Sequence, residues 1–226
     1  MSIQQQFEQI GGKFLTPAER IAEALSSIQC YIFDWDGVFN NGTKMDENGS
    51  PFSEPDSMGI NMLRFSHWLK HGRLPVTAII TGANNKYAHQ FAKREHLDAI
   101  YINAKDKRTT LSHLSEQFNI SPGKSAFVFD DILDLNAAEL CKAAFCVRRD
   151  SSVLLSDFIL RNKMCDYVSA NQGGNHAVRE IAELIIGLIG NYDDCVNNRM
   201  AHVGVYSDYL NQRNRIDAQF EDMKGK

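Results

Sequence analysis

No stretch of the 226 residues is apolar for the roughly 18 positions that a membrane-spanning helix needs. The best candidate, IAELIIGLIG from Ile181 to Gly190, is about ten long and carries Glu183, so a transmembrane chain is not expected. The start, MSIQQQFEQIGG, has neither the basic segment nor the apolar segment of a signal peptide, which makes the cytoplasm the expected location. Dense basic blocks are also missing: 24 Lys+Arg stand against 28 Asp+Glu, for a net charge of −4. Nothing in that balance neutralises a phosphate backbone, so nucleic acid is not an expected partner. The five cysteines (Cys30, Cys141, Cys146, Cys165, Cys195) are odd in number and include no CxxC pair, which argues against a structural zinc site and for reduced thiols. Cys30 and Cys146 fall inside apolar runs and are expected to be buried. None of the seven histidines forms a ligand-like pair; His67 and His71, four apart on a helix, lack an acid at suitable spacing. Repeats and low-complexity segments are absent.

What is present is enough apolar sequence for one sizeable core. After about ten polar residues left unassigned, TPAERIAEALSSI reads as a helix, with Thr16 and Glu19 spaced as a capping box and Pro17 at the first helical position. From Gln29 the pattern changes to short apolar runs, CYIF, VTAII, DAIYI, SAFVF, AAFCV and DYV, each of strand length. Helical spacing lies between them: Met62, Phe65 and Leu69 before Gly72, Leu111, Leu114 and Phe118 after Asp106, and Val178, Ile181, Ile185 and Leu188. Continuous apolar strands interleaved with helices indicate a parallel sheet covered on both faces, a doubly wound α/β fold. Asn40–Ser57 breaks this rhythm and, with a turn signal at Asp46–Gly49, reads as a hairpin or flap. The expected organisation is an N-terminal extension with a helix (1–28), a core (29–190) and a polar tail (191–226). The tail carries weak Tyr206/Leu210 spacing and is expected to dock elsewhere or fray.

Ligands of open α/β sheets gather at the carboxyl ends of the strands, and three strand ends here carry acids or hydroxyls. CYIF is followed by Asp34, Trp35, Asp36 and Gly37; VTAII by Thr81 and Gly82; SAFVF by Asp130 and Asp131, with Asp134 one turn on. Two carboxylates one residue apart, facing a third from another strand, repel unless a cation neutralises them. An all-oxygen ligand set suits Mg²⁺, which keeps several waters and takes one or two carboxylates plus a substrate phosphate. Lys107, at the start of a helix, adds positive charge at the same edge, and the group suits a phosphoryl ligand. Plain structural roles remain open for some members. Thr81 can cap the next helix, Lys107 can be a solvated helix residue, Asp134 can bond locally, and Gly173–Gly174 can be an ordinary loop-to-helix turn rather than an anion site.

FDWDGV (Phe33–Val38), IITG (Ile79–Gly82), Lys107 and DDILD (Asp130–Asp134) together resemble the four ordered motifs of the haloacid dehalogenase superfamily phosphatases. The intervals between them leave no room for a large cap domain, so the chain resembles a capless member. NNG (Asn40–Gly42), DSMGI (Asp56–Ile60) and GGNHAVRE (Gly173–Glu180) are similar to segments of the 3-deoxy-D-manno-octulosonate 8-phosphate phosphatases, a resemblance spanning residues 29 to about 190. It implies a Rossmann-like core, a β-hairpin flap after the first motif, Mg²⁺ dependence and commonly a homotetramer whose neighbours close the site.

The resemblance further implies Asp34 as nucleophile and Asp36 as general acid and base, with the Asp36 backbone carbonyl facing the metal. Asp34 and Asp130 would supply the metal carboxylates, and Thr81, Gly82 and Lys107 would hold the substrate phosphate. Asp131 and Asp134 would stand behind the ligands, Asp131 reaching the metal through water. The sequence departs from the octulosonate pattern where Pro55, Ala83 and Asn175 replace basic residues, which removes charge-assisted contacts to a sugar-acid carboxylate. Phe129 and His176 stand in place of glycines, and Trp35 is bulky, with its ring expected to point into the core. The expected activity is hydrolysis of a small phosphomonoester, a sugar or sugar-acid phosphate, without a membrane or nucleic-acid partner. The rivals are a non-catalytic scaffold domain and a phosphatase acting on macromolecules.

Overall fold

The computed structural model describes residues 1–45, 47 and 49–225. Eight strands among them form one sheet: β1 (Lys13–Phe14), β2 (Cys30–Phe33), β3 (Val76–Ile80), β4 (Ala99–Ile102), β5 (Ser125–Phe129), β6 (Ala143–Arg148), β7 (Tyr167–Gln172) and β8 (Gln219–Asp222). The helices are α1 (Ile3–Gln9), α2 (Ala18–Leu25), α3 (Glu54–His71), α4 (Lys86–Arg94), α5 (Lys107–Phe118), α6 (Leu135–Ala138), α7 (Val153–Asn162), α8 (Ala177–Ile189), α9 (Tyr192–Ala201) and α10 (Val205–Arg213).

The strand order is β1-β7-β6-β5-β2-β3-β4-β8. From β7 to β8 every pairing is parallel, and only the two-residue β1 runs antiparallel, on β7. The chain moves outward from β2 through β3 to β4, then returns to β2's other side with β5. That reversal opens a crevice at the carboxyl ends of β2 and β5, where open sheets bind their ligands.

Because neighbouring side chains on a strand face opposite ways, the all-apolar β2 feeds two cores. Tyr31 and Phe33 join Ile79, Val128 and Phe145 beneath α2, α3 and α8. Cys30 and Ile32 join Ile80, Phe127 and Phe129 beneath α5, α6 and α7. The six apolar runs are strands, and the three helical spacings lie in α3, α5 and α8. Gly72 ends α3 in the left-handed conformation at φ 66°, as a C-terminal glycine does.

The ends of the chain are more ordered than the sequence suggests. The unassigned N-terminus is α1, whose Ser2 hydroxyl accepts from Gln5 N while Gln5 returns a bond to Ser2 N. The box expected at Thr16 and Glu19 does not form. Pro17 takes the cap position of α2, and the Thr16 hydroxyl donates instead to Asp166 Oδ1 at 2.7 Å, tying the entry of α2 to the start of β7. The polar tail docks: α9 and α10 bury Cys195, Tyr206 and Tyr209 on the first core, and β8 completes the sheet beside β4.

In the flap segment, residues 54–57 belong to α3. Met45 N–H donates to the Gly49 carbonyl at 3.0 Å, but no paired strands appear there among the described residues. The turn positions Asp46 and Asn48 lie outside the described residues.

Candidate active site

The backbone of β2 runs one residue beyond its last pair, with Asp34 N–H donating to the Val128 carbonyl at 2.9 Å. This holds the Asp34 backbone in line with the strand. Trp35 turns into the core as expected: it is fully buried, stacks on Phe39 with centroids 4.7 Å apart, and donates from Nε1 to the Ser50 carbonyl at 3.0 Å. The loop beyond is folded around Asn40, whose Oδ1 accepts from Gly37 N (3.3 Å) and Gly42 N (2.9 Å). Gly173 presses on the Gly37 and Asn40 carbonyls so closely that a Cβ would collide with both. Close packing of two loops therefore accounts for this glycine.

Three buried carboxylates converge in the crevice. Asp34 (6% exposed), Asp130 (2%) and Asp134 (1%) each present an oxygen within 4.8 Å of the others. Asp130 follows β5, and Asp134 is brought back by the single 3₁₀ turn Ile132–Asp134, where its side chain accepts from Asp131 N at 3.1 Å. Asp131 caps that turn, accepting from Ile132 N at 2.7 Å, and is exposed.

Two cations answer the three acids. Lys107, the first residue of α5 and 3% exposed, places Nζ 2.7 Å from Asp34 Oδ1 and also donates to Asp134 Oδ1. Arg149, just past β6, donates to Asp130 Oδ2 from Nε at 3.0 Å and from Nη2. Asp130 Oδ1 is buried with no hydrogen-bond partner. A buried acceptor left in this way is costly unless something else satisfies it. Three all-oxygen donors, one of them unpartnered, fit a hard divalent cation.

Burial pushes the Asp34 carboxyl well above the usual carboxylate range; Lys107 opposes this, while Asp134 and Asp130 add to it. Burial likewise pushes Asp130 up to about 6, against the pull of Arg149. Burial works against the Lys107 charge, but Asp34 and Asp134 outweigh it and hold the ammonium protonated.

The other expected residues occupy the rim. Thr81 is fully buried at the end of β3, where its hydroxyl accepts from Ala83 N at 3.4 Å, and Gly82 beside it is exposed. Asp36 stands apart from the three-acid cluster, its Oδ2 2.6 Å from Lys44 Nζ and its Oδ1 3.4 Å from Asn85 Nδ2. Asn85 also caps α4 through its Oδ1. Phe129 does not crowd the crevice, because it is fully buried in the second core near Phe127. His176 adopts φ 65° and its Nδ1 lies 3.2 Å from the Ser53 hydroxyl.

No family model matches the chain. Among curated proteins it is 29% identical over 181 residues to KdsC of Escherichia coli strain K12, a 3-deoxy-D-manno-octulosonate 8-phosphate phosphatase, covering 78% of this chain and 88% of that one. The 3-deoxy-D-manno-octulosonate 8-phosphate phosphatase of Moraxella catarrhalis, solved with magnesium, phosphate and KDO, superposes with a TM-score of 0.67 at 25% identity, over 80% of this chain and 98% of its own. In sequence and in fold the chain is similar to the 3-deoxy-D-manno-octulosonate 8-phosphate phosphatases. A HAD superfamily (subfamily III A) hydrolase from Legionella pneumophila shares the fold, with a TM-score of 0.66 at 24% identity over 80% of this chain and 94% of that one.

The strand ends singled out in the sequence were those of β2, β3 and β5, but not that of β6. Arg149 directly follows β6, so the same rule applied to AAFCVR would have found it. Lys44 and Asn85, the partners of Asp36, carry no comparable signal, since they reach it from a loop and from a helix cap.

Proposed function

We propose that the chain is a Mg²⁺-dependent phosphatase that hydrolyses a small phosphomonoester, a sugar or sugar-acid phosphate, through an aspartyl-phosphate. The observation that carries this reading is the placing of Asp34, at a strand end, against the Lys107 ammonium at 2.7 Å inside a cluster of three buried acids. In it, Asp34 attacks phosphorus, the ester P–O bond breaks, and Asp36 gives its proton to the leaving alkoxide. Water then attacks the phosphorus of the aspartyl-phosphate, Asp36 takes back a proton, and phosphate leaves with Asp34 restored.

Lys107 and the Thr81 hydroxyl, with backbone N–H groups near Gly82, orient the phosphoryl oxygens and stabilise their charge in the transition state. Asp34, Asp130 and Asp134 would hold the cation, the Asp36 carbonyl would face it, and Asp131 would reach it through water. When bound, Mg²⁺ supplies charge neutralisation at the phosphoryl oxygens. The likeness to the octulosonate phosphatases supports the sugar-acid class, while the uncharged side chains at Pro55, Ala83 and Asn175 favour a substrate bound without a carboxylate clamp.

The test is phosphate release from a panel of sugar phosphates and a chromogenic phosphomonoester, with and without Mg²⁺, for wild type and Asp34→Asn. Turnover that needs Mg²⁺ and is lost in the variant is expected. A folded wild type without turnover on any compound would favour the scaffold reading.

A further inference from the structure

We propose that Arg149 is a built-in competitor of the divalent cation: its guanidinium holds Asp130 and sets how tightly the three-acid site takes the metal. This rests on the phosphatase reading in one respect, that the site takes a divalent cation. The last residue of β6, Arg148, and the residue after it, Arg149, are disposed differently. Arg148 turns outward, with Nε 2.6 Å from Asp150 Oδ1 and Nη1 3.2 Å from the Ala170 carbonyl. Arg149 alone turns inward, and two of its nitrogens converge on the one oxygen Asp130 Oδ2.

This contact is shaped by its surroundings, unlike an ordinary surface ion pair. Gly37, at φ +93°, lies so close to Arg149 Nη2 and Asp130 Oδ2 that a Cβ there would overlap both. The loop after β2, which carries Asp36, is thus built around the Arg149–Asp130 pair. Arg149 also has somewhere to go. Its side chain is 28% exposed, whereas that of Asp130 is 1% exposed, and it lines a cavity of about 470 Å³ between β6, β7 and α7 that gives it room to swing away from Asp130. The carboxylate is fixed and the guanidinium can leave it.

Charge gives the direction of the effect. With the three carboxylates ionised, as metal ligands must be, Asp34, Asp130 and Asp134 against Lys107 and Arg149 leave one net negative charge, which a divalent cation would overshoot. Without Arg149 two negative charges remain, which a divalent cation would balance. A like charge this near a cation site disfavours binding, and a buried carboxylate already engaged by a guanidinium has to be released before it can bind a metal.

The experiment is calorimetric titration of Mg²⁺ into chelator-stripped wild type, Arg149→Gln and Arg149→Lys, with no substrate present. The expected result is affinity tighter by about tenfold or more in Arg149→Gln and near wild type in Arg149→Lys, which keeps the charge. Wild-type or weaker affinity in Arg149→Gln overturns the inference, as does equal tightening in both variants, which would point to side-chain shape rather than charge. If wild type shows Mg²⁺-dependent turnover while Arg149→Gln keeps wild-type affinity, only this inference fails. If no folded protein of the three binds Mg²⁺, the metal-dependent phosphatase reading fails with it.

Discussion

Asp130→Asn should stabilise the metal-stripped protein near neutral pH while removing its activity. Burial pushes the Asp130 carboxyl up to about 6, against 3.8 for an ordinary aspartate. Ionising it in the folded chain therefore costs on the order of 3 kcal/mol relative to the unfolded chain. Asparagine removes that cost and keeps an acceptor for Arg149, whose pull is already contained in the value of about 6; its amide nitrogen, at the position of the unpartnered Oδ1, is a buried donor that costs about 1 kcal/mol. The net gain is about 2 kcal/mol, or about 4–8 °C in melting temperature for a chain of this size.

The sign follows from the direction of the shift. A carboxyl raised in the folded state binds its proton more tightly there, so its contribution is fully present below the unfolded value of 3.8 and is lost as pH rises through about 6. The advantage of Asp130→Asn should accordingly be full above about pH 7 and fade toward about pH 4. Urea denaturation in excess chelator at both pH values measures it. A variant less stable than wild type near neutrality, or a gain undiminished in acid, would refute the reasoning. Saturating Mg²⁺ should narrow or reverse the ranking, because binding stabilises only the chain that holds the ion.

Gly37→Ala should cost at least about 2 kcal/mol, since residue 37 sits at φ +93° and its new methyl would meet Arg149 and Asp130. A lowered melting temperature together with loss of phosphate release is the expected readout. Tyr209→Ala should cost about 3–5 kcal/mol, because the ring is fully buried 5.0 Å from Phe65 and its hydroxyl donates to the Asn61 carbonyl at 3.1 Å. A denaturation midpoint unchanged from wild type would mean that the tail contributes nothing to the core.

Several features of the site were legible because they are local. Runs such as CYIF and SAFVF are buried on both sheet faces, so their burial is written as unbroken apolar sequence, and the residues that follow them must lie at the sheet's carboxyl edge. Asp34, Thr81 and Asp130 could be placed on that edge for this reason. Lys107 could be placed at a helix start because Asp106 is a capping residue, and its side chain proved to be the one that reaches two of the acids. Trp35 could be turned inward because it alternates with two acids.

The remainder was decided by partners distant in the chain. Thr16 has the spacing of a capping residue, yet its hydroxyl goes to Asp166, 150 positions away, where tertiary contact outweighs local preference. Strand β8 reads QFED, without an apolar pattern, because an edge strand need bury little; only β4 alongside it makes it a strand. Asp36 and Asp134 look equally available in the sequence. A 3₁₀ turn carries Asp134 into the buried cluster, whereas Lys44 and Asn85 draw Asp36 to the rim. Six of the eight strands, their ligand-binding edge and the residue types gathered there were legible in the sequence, because burial and strand ends leave local patterns. Which carboxylates converge, and that Arg149 closes on one of them, follows from long-range packing, because side-chain direction at a loop depends on what packs behind it.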